Sequence, residues 1–292
     1  MLLLDTADPA IAPEERIACA RLLARLDDPR FPVELGEWHA EVARRNEVFG
    51  RPAGYWCYVQ KGDYNIGGWE QGEVAAKIAL SAFWLARFPV TVAQYTQFVA
   101  DGYGKAAERW WTKEGWTWMQ GRKRREPWGW GRPEYAGDNQ PVIGVTWYEA
   151  TAFCAWLTAQ LATALPPGYA IRLPSEAEWE IAAAYDGGER RPYPWGVDEP
   201  TPERAIYDAS GLGQPAPVGC CPAGAAACGA LDMAGNVWEA TASSFNGYPA
   251  QGAALVKDFT SNDDVVPYRG GAYYQNSTSV RCGARVPGSA LS

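Results

Sequence analysis

Two short segments fix where the main helices of this chain can begin. Thr146-Trp147-Tyr148-Glu149 and Ser175-Glu176-Ala177-Glu178 each place a hydroxyl three residues ahead of a carboxylate. At that spacing the hydroxyl accepts a hydrogen bond from the third helical amide, and the carboxylate reaches back to the amide of the capping residue. The first helix is expected to run to about Ala164, with Ala150, Phe153, Cys154, Leu157 and Leu161 inward, until Pro166-Pro167-Gly168 stops it. The second carries Trp179 and Ala182 inward. Long helices are disfavoured elsewhere, because 31 Gly and 22 Pro punctuate the 292 residues. The pattern predicts an α+β fold with few helices, many short strands and long ordered loops.

The remaining segments fit that reading. Residues 13–26, PEERIACARLLARL, predict a short helix with Pro13 in its first turn and acids at its positive end. Residues 36–50 read as a brief helix or an irregular lead-in. From Tyr55 to Phe88, aromatic and β-branched residues between glycines predict short strands, with 79–86 as one buried strand. Thr91 is placed to cap a helix bearing Val92, Tyr95, Phe98 and Val99 on one face. Residues 102–140 hold Trp110, Trp111, Trp116, Trp118, Trp128 and Trp130 without helical or strand periodicity, which predicts an aromatic-pinned loop layer. The chain divides into a short N-terminal helical segment, 1–35, and one domain, 36–292.

Counts exclude several classes of function. Charges sum to 26 − 34 = −8, against general nucleic-acid binding, which needs a basic surface. No apolar run is long enough for a membrane span. The start, MLLLDTADPAIAPEER, lacks the basic and apolar regions of a signal peptide, so a cytoplasmic location is expected. His39 is the one histidine, so a metal site of two or three imidazoles cannot be built within this chain. Seven cysteines, an odd number without a C-x-x-C pair, suit free thiols in a reducing compartment.

Several motifs have an ordinary explanation. Cys220, Cys221 and Cys228 are poorly spaced for zinc. Arg122-Lys123-Arg124-Arg125 reads as a solvated loop more readily than as a phosphate or single-strand patch. Glu178 is accounted for by capping. The turn Asp232-Met233-Ala234-Gly235-Asn236-Val237-Trp238-Glu239 sets two carboxylates and several carbonyls around a glycine. It suits either Ca²⁺ or a packed turn whose carboxylates take backbone amides.

Taken in order, FPVT (88–91), PVIGVTWYEATAFCAWL (141–157), IRLPSEAEWEIAAA (171–184), YPWG (193–196), LDMAGNVWE (231–239) and RGG (269–271) resemble the formylglycine-generating enzyme superfamily over roughly residues 55–285. The resemblance implies a C-type-lectin-like fold with a small antiparallel sheet and two main helices. It also implies structural Ca²⁺ on Asp232, Gly235, Val237 and Glu239. A second family calcium site has Asn where this chain has Ile206. The copper-binding cysteines of the family fall on Gln275 and Val280, and the three histidines of the related iron-dependent sulfoxide synthases are missing. No copper or iron is therefore expected, and the chain is expected not to be an enzyme. The terminal L-G-F-R strand usual in the family does not occur up to Ser292.

The variable proteins of diversity-generating retroelements share this fold and the R-G-G start. Their diversified segment corresponds here to Tyr273, Tyr274, Gln275, Asn276, Ser277, Thr278 and Ser279. Tyr, Asn, Ser and Thr are also good contact residues. The expected function is a non-catalytic binding protein that presents this segment to an unknown protein or other macromolecular ligand. The alternative is a divergent metal-dependent oxidase of the superfamily.

Overall fold

A computed structural model describes residues 8, 10–259 and 265–290. The sequence start, and with it the reading of its first residues as no signal peptide, lies outside the described residues. Helix α1 (Pro13–Leu23) continues into a 3-10 turn, Ala24–Leu26, and α2 spans Leu35–Arg44. Four strands follow: β1 (Trp56–Val59), β2 (Gly62–Ile66), β3 (Ala76–Leu80) and β4 (Phe83–Ala86). Then come α3 (Val92–Gly102), α4 (Lys113–Arg122), α5 (Trp147–Gln160) and α6 (Glu176–Ala184). Short strands complete the order: β5 (Tyr185–Asp186), β6 (Glu189–Arg190), β7 (Glu239–Ala240), β8 (Val265–Arg269) and β9 (Arg285–Ser289).

Both capping boxes form. The Glu149 amide donates to Thr146 Oγ1 at 3.2 Å, and the Thr146 amide donates to Glu149 Oε2 at 2.9 Å. At α6 the matching distances are 3.2 Å to Ser175 Oγ and 2.7 Å to Glu178 Oε2. Thr91 makes a third box with Gln94. Helix α6 is buried along all nine residues, acids included. Its glutamates are tolerated because cations meet them: Glu176 and Glu180 pair with Arg269, and Glu178 with Arg172.

Strand pairing is antiparallel throughout: β1 with β4, β2 with β3, β5 with β6, and the three-stranded order β7-β8-β9. The mixed α+β architecture with short antiparallel strands and long ordered loops is as expected. Two local expectations are corrected. Residues 79–86 are not one buried strand. They split at Ser81-Ala82 into the end of β3, which pairs with β2, and β4, which pairs with β1, and β4 is only half-buried. The Trp-rich segment is not all loop either. Thr112 Oγ1 caps α4 through the Gly115 amide at 3.1 Å, and α4 buries only Gly115 and Met119, too narrow a face to leave a helical period in the sequence.

The largest core joins α3, α5 and the Trp-rich segment around Tyr95, Phe98, Phe153 and Trp156. Helix α1 packs Ile17 and Ala20 on Ile206, Ala216, Cys220 and Cys221. Beside them Arg16 is fully buried, its Nε donating to the Cys220 carbonyl at 2.8 Å. Among the described residues no helix is long and apolar enough to cross a membrane, and all seven cysteines are free thiols.

Candidate functional site

The R-G-G turn carries the chain from β8 into the segment singled out above. Gly270 and Gly271 take φ of +94° and +79°, and a side chain on Gly271 would strike the Ser279 carbonyl. The segment is pinned at its base: the Tyr273 amide donates to the Asn236 carbonyl at 3.0 Å, and the Asp208 amide donates to the Gln275 carbonyl at 2.9 Å. Asn276 Oδ1 accepts from the Thr278 amide at 3.1 Å and so caps a 3-10 turn, Ser277–Val280. This bracing turns Tyr274, Asn276 and Thr278 to solvent, and Tyr274 is 59% exposed. Tyr273 does not join them. It packs against the Ile206–Cys220 cluster, and burial together with a Tyr135 hydrogen bond pushes its hydroxyl up to about 12. Gln275, Ser277 and Ser279 are half-buried, with Ser279 Oγ hydrogen-bonded to Gln275 Oε1.

Beside this segment lies a group that sequence reasoning did not assign. Tyr193 and Trp195 stack in parallel, 5.2 Å between centroids and 4° between planes. Arg281, exposed at the end of the segment, donates from Nε to Tyr193 Oη at 3.4 Å, and its guanidinium lies 5.9 Å from that ring's centroid. The YPWG block was the available signal. The sequence separation of 88 between Tyr193 and Arg281 hid the pairing.

The 232–239 turn adopts the packed form. Asp232 and Asn236 take left-handed φ of 60° and 64°. Asp232 Oδ2 accepts the Gly219 amide at 2.7 Å, and burial pushes its carboxyl up to about 6. The Gly235 carbonyl accepts the Val237 amide at 2.9 Å. Glu239 lies farther along, on β7, where it accepts the Trp179 indole N–H at 2.8 Å, and burial pushes it up to about 7. Among the described residues no three His, Cys, Asp or Glu side chains assemble as a metal set. The His39 ring lies 3.4 Å from the Gln160 carbonyl. Cys57 and Cys228 touch in the core, thiol to thiol, with no third ligand.

A cavity of about 1290 Å³ opens beside the turn. Its walls are mainly apolar, and Glu239, Ala240, Tyr273 and Tyr274 contribute to them along with β4.

Comparison with known proteins places this geometry. The model of the sulfatase-modifying factor enzyme 1-like domain family matches residues 42–290. A hercynine oxygenase of Mycobacterium tuberculosis is 36% identical over 210 residues, 67% of this chain and 44% of its own length. That of Mycolicibacterium thermoresistibile is 39% identical over 183 residues, 59% of this chain and 38% of its own. The chain thus spans less than half the length of these relatives. Among solved structures, PvdO from Pseudomonas aeruginosa superposes with a TM-score of 0.55 at 22% identity, covering 80% of this chain and 87% of PvdO. Treponema denticola variable protein 1 gives 0.54 at 18%, covering 81% and 90%. Both show the C-type-lectin-like fold. The expectation that this chain is not an enzyme is corrected: relatives at 36% and 39% identity are named as oxygenases. It failed because it rested on absent metal ligands within a chain that spans under half of those relatives.

Proposed function

The chain belongs to the sulfatase-modifying factor enzyme 1-like family, and on that premise we propose that it is the lectin-fold portion of an oxygen-dependent oxidoreductase related to the hercynine oxygenases. The observation that carries the reading is 36–39% identity to proteins of that name. The substrate-contact surface in this proposal is the 273–279 segment with Trp195 and Arg281, held in place by the buried Tyr193. The half-buried Trp195 ring beside the exposed Arg281 guanidinium offers a face for a cationic or planar group and a charge for a carboxylate. A reducing, cytoplasmic setting is consistent with seven free thiols.

The residues present do not fit copper or iron. Gln275 and Val280 stand at the positions of the family's copper thiolates, and Cys282 is fully buried. One imidazole cannot supply a histidine triad. We assign the redox-metal ligands to polypeptide outside residues 8–290, and the residues described here to binding and orienting the substrate. Elemental analysis of the purified chain tests this: less than stoichiometric iron and copper is expected, and one tightly held ion per chain contradicts it.

A second reading is favoured by the exposure of Tyr274, Asn276 and Thr278. The same segment is then a diversified contact surface of a retroelement variable protein, with substitutions confined to 273–279. Sequencing these codons across a source population tests it, and an invariant segment contradicts it. Structural Ca²⁺ on Asp232, Gly235, Val237 and Glu239 stays a proposal of its own, tested by a rise in melting temperature on adding Ca²⁺.

A further inference from the structure

Among the described residues two main-chain hydrogen bonds leave the 273–279 segment, and both lead to one stretch of chain, 206–216. The Gln275 carbonyl accepts from the Asp208 amide at 2.9 Å. The Tyr273 amide donates to the carbonyl of Asn236, which is itself tied to that stretch. The Asn236 amide donates to the Ile206 carbonyl at 2.7 Å. Its side chain accepts from the Ala216 amide at 3.0 Å and donates to the Ala216 carbonyl at 3.2 Å. Residues 206–216 are thus the floor on which the contact segment rests.

Helix α1 holds that floor at both ends. Arg16 is fully buried, and its guanidinium spans three main-chain carbonyls. Nε donates to Cys220 at 2.8 Å, Nη2 to Glu203 at 3.5 Å, and Nη1 to Ile11. Glu203 and Cys220 flank the floor in the chain. The planar fork fixes its donors relative to one another, so one side chain sets where both flanks lie. One turn on, the Ala20 carbonyl accepts from Asn139 Nδ2 at 2.7 Å, and the Asn139 carbonyl accepts the Val218 amide at 2.8 Å. Between these ties Ile17 and Ala20 fill the apolar cluster on which Tyr273 also packs. A helix that only covered a core would need the apolar contacts alone. Burying a cation is costly unless its donors are satisfied, and here they are satisfied by the chain that carries the contact segment.

We infer that α1 is a positioning element of the contact surface and that Arg16 is the residue through which it acts. The helix, the floor and the base of 273–279 form one cooperative unit, so the surface keeps its shape only while α1 is docked. The inference rests on the reading of 273–279 as a contact surface. The coupling to α1 is measured without any ligand, so the two fail separately.

Native-state amide exchange of the full chain, in rising but sub-denaturing urea, tests the coupling. The amides of Ala20, Leu23, Asp208, Asn236 and Tyr273 should converge on one opening free energy, lower than that of Leu157 in α5. Arg16→Lys keeps the charge but loses the fork. It should speed all five amides by about tenfold or more and leave Leu157 unchanged. Opening of Ala20 and Leu23 while Asp208 and Tyr273 stay protected overturns the inference, in the wild-type chain or in the variant. So does an equal acceleration of Leu157, which would make Arg16 a residue of general stability. If Arg16→Lys does not fold, the wild-type series decides alone.

Discussion

Arg269 and Glu180 form an ion pair of 2.7 Å in which neither side chain has any solvent exposure. The same guanidinium stands 3.0 Å from Glu176, one turn earlier on α6, and donates from Nη1 to the Cys282 carbonyl at 2.9 Å. One cation at the end of β8 thus ties α6 to the chain that leaves the candidate site. Removing it takes the fully buried cation from both carboxylates and leaves Glu176 to Arg285 and Glu180 to Arg190, both partly exposed. Arg269→Ala is expected to cost about 3–5 kcal/mol. Urea denaturation measures this, and a loss below about 1 kcal/mol would show that the network does not hold helix to sheet.

Adjacent tyrosines should behave differently. Tyr274 is exposed, so Tyr274→Ala is expected to change stability by no more than about 0.5 kcal/mol. Tyr273 packs on the Ile206 cluster and bonds to Tyr135, so Tyr273→Ala should cost roughly 1–3 kcal/mol. Melting curves of the two variants check the order. A larger loss for Tyr274→Ala would place it in the core and remove it from the contact surface.

Glu239 gives stability a pH dependence. Its carboxyl titrates near 7 in the folded chain because of burial, against an ordinary 4.5. Between those values the folded state binds more protons than the unfolded one. Its contribution is therefore full below about pH 4.5, is lost as the pH rises towards 7, and is flat above. In chelator-containing buffer, Glu239→Gln should flatten this slope and stabilise the protein relative to wild type at pH 8. An unchanged slope between pH 5 and 7 contradicts the assignment.

Ser175 caps α6 at the point where Glu178 also holds Arg172. Ser175→Ala should cost about 1 kcal/mol, as read by chemical denaturation. A neutral result would mean that the Glu178 contacts alone hold the helix start.

These caps were legible in the sequence because the interactions span three residues. So was the 232–239 turn, where Gly235 takes φ +81° and packs on the Ile206 carbonyl. Helix α4 was hidden by Gly115 and Gly121 and by tryptophans that do not keep one face. The proposed contact surface was half legible: 273–279 is contiguous, whereas Tyr193 and Trp195 reach Arg281 only through tertiary folding. The cavity could not be read at all, since Trp84 and Ala240 meet it from strands far apart in the chain.

The most direct test of the central claim is a titration of the full chain with hercynine, followed by tryptophan fluorescence. Trp195 lies in the proposed contact surface, so saturable quenching is expected. Arg281→Ala should weaken the affinity by about tenfold or more, the worth of a hydrogen bond to a charged group, without lowering the melting temperature. No saturable response in the wild-type chain, or an affinity unchanged in Arg281→Ala, would contradict the assignment of this surface to substrate.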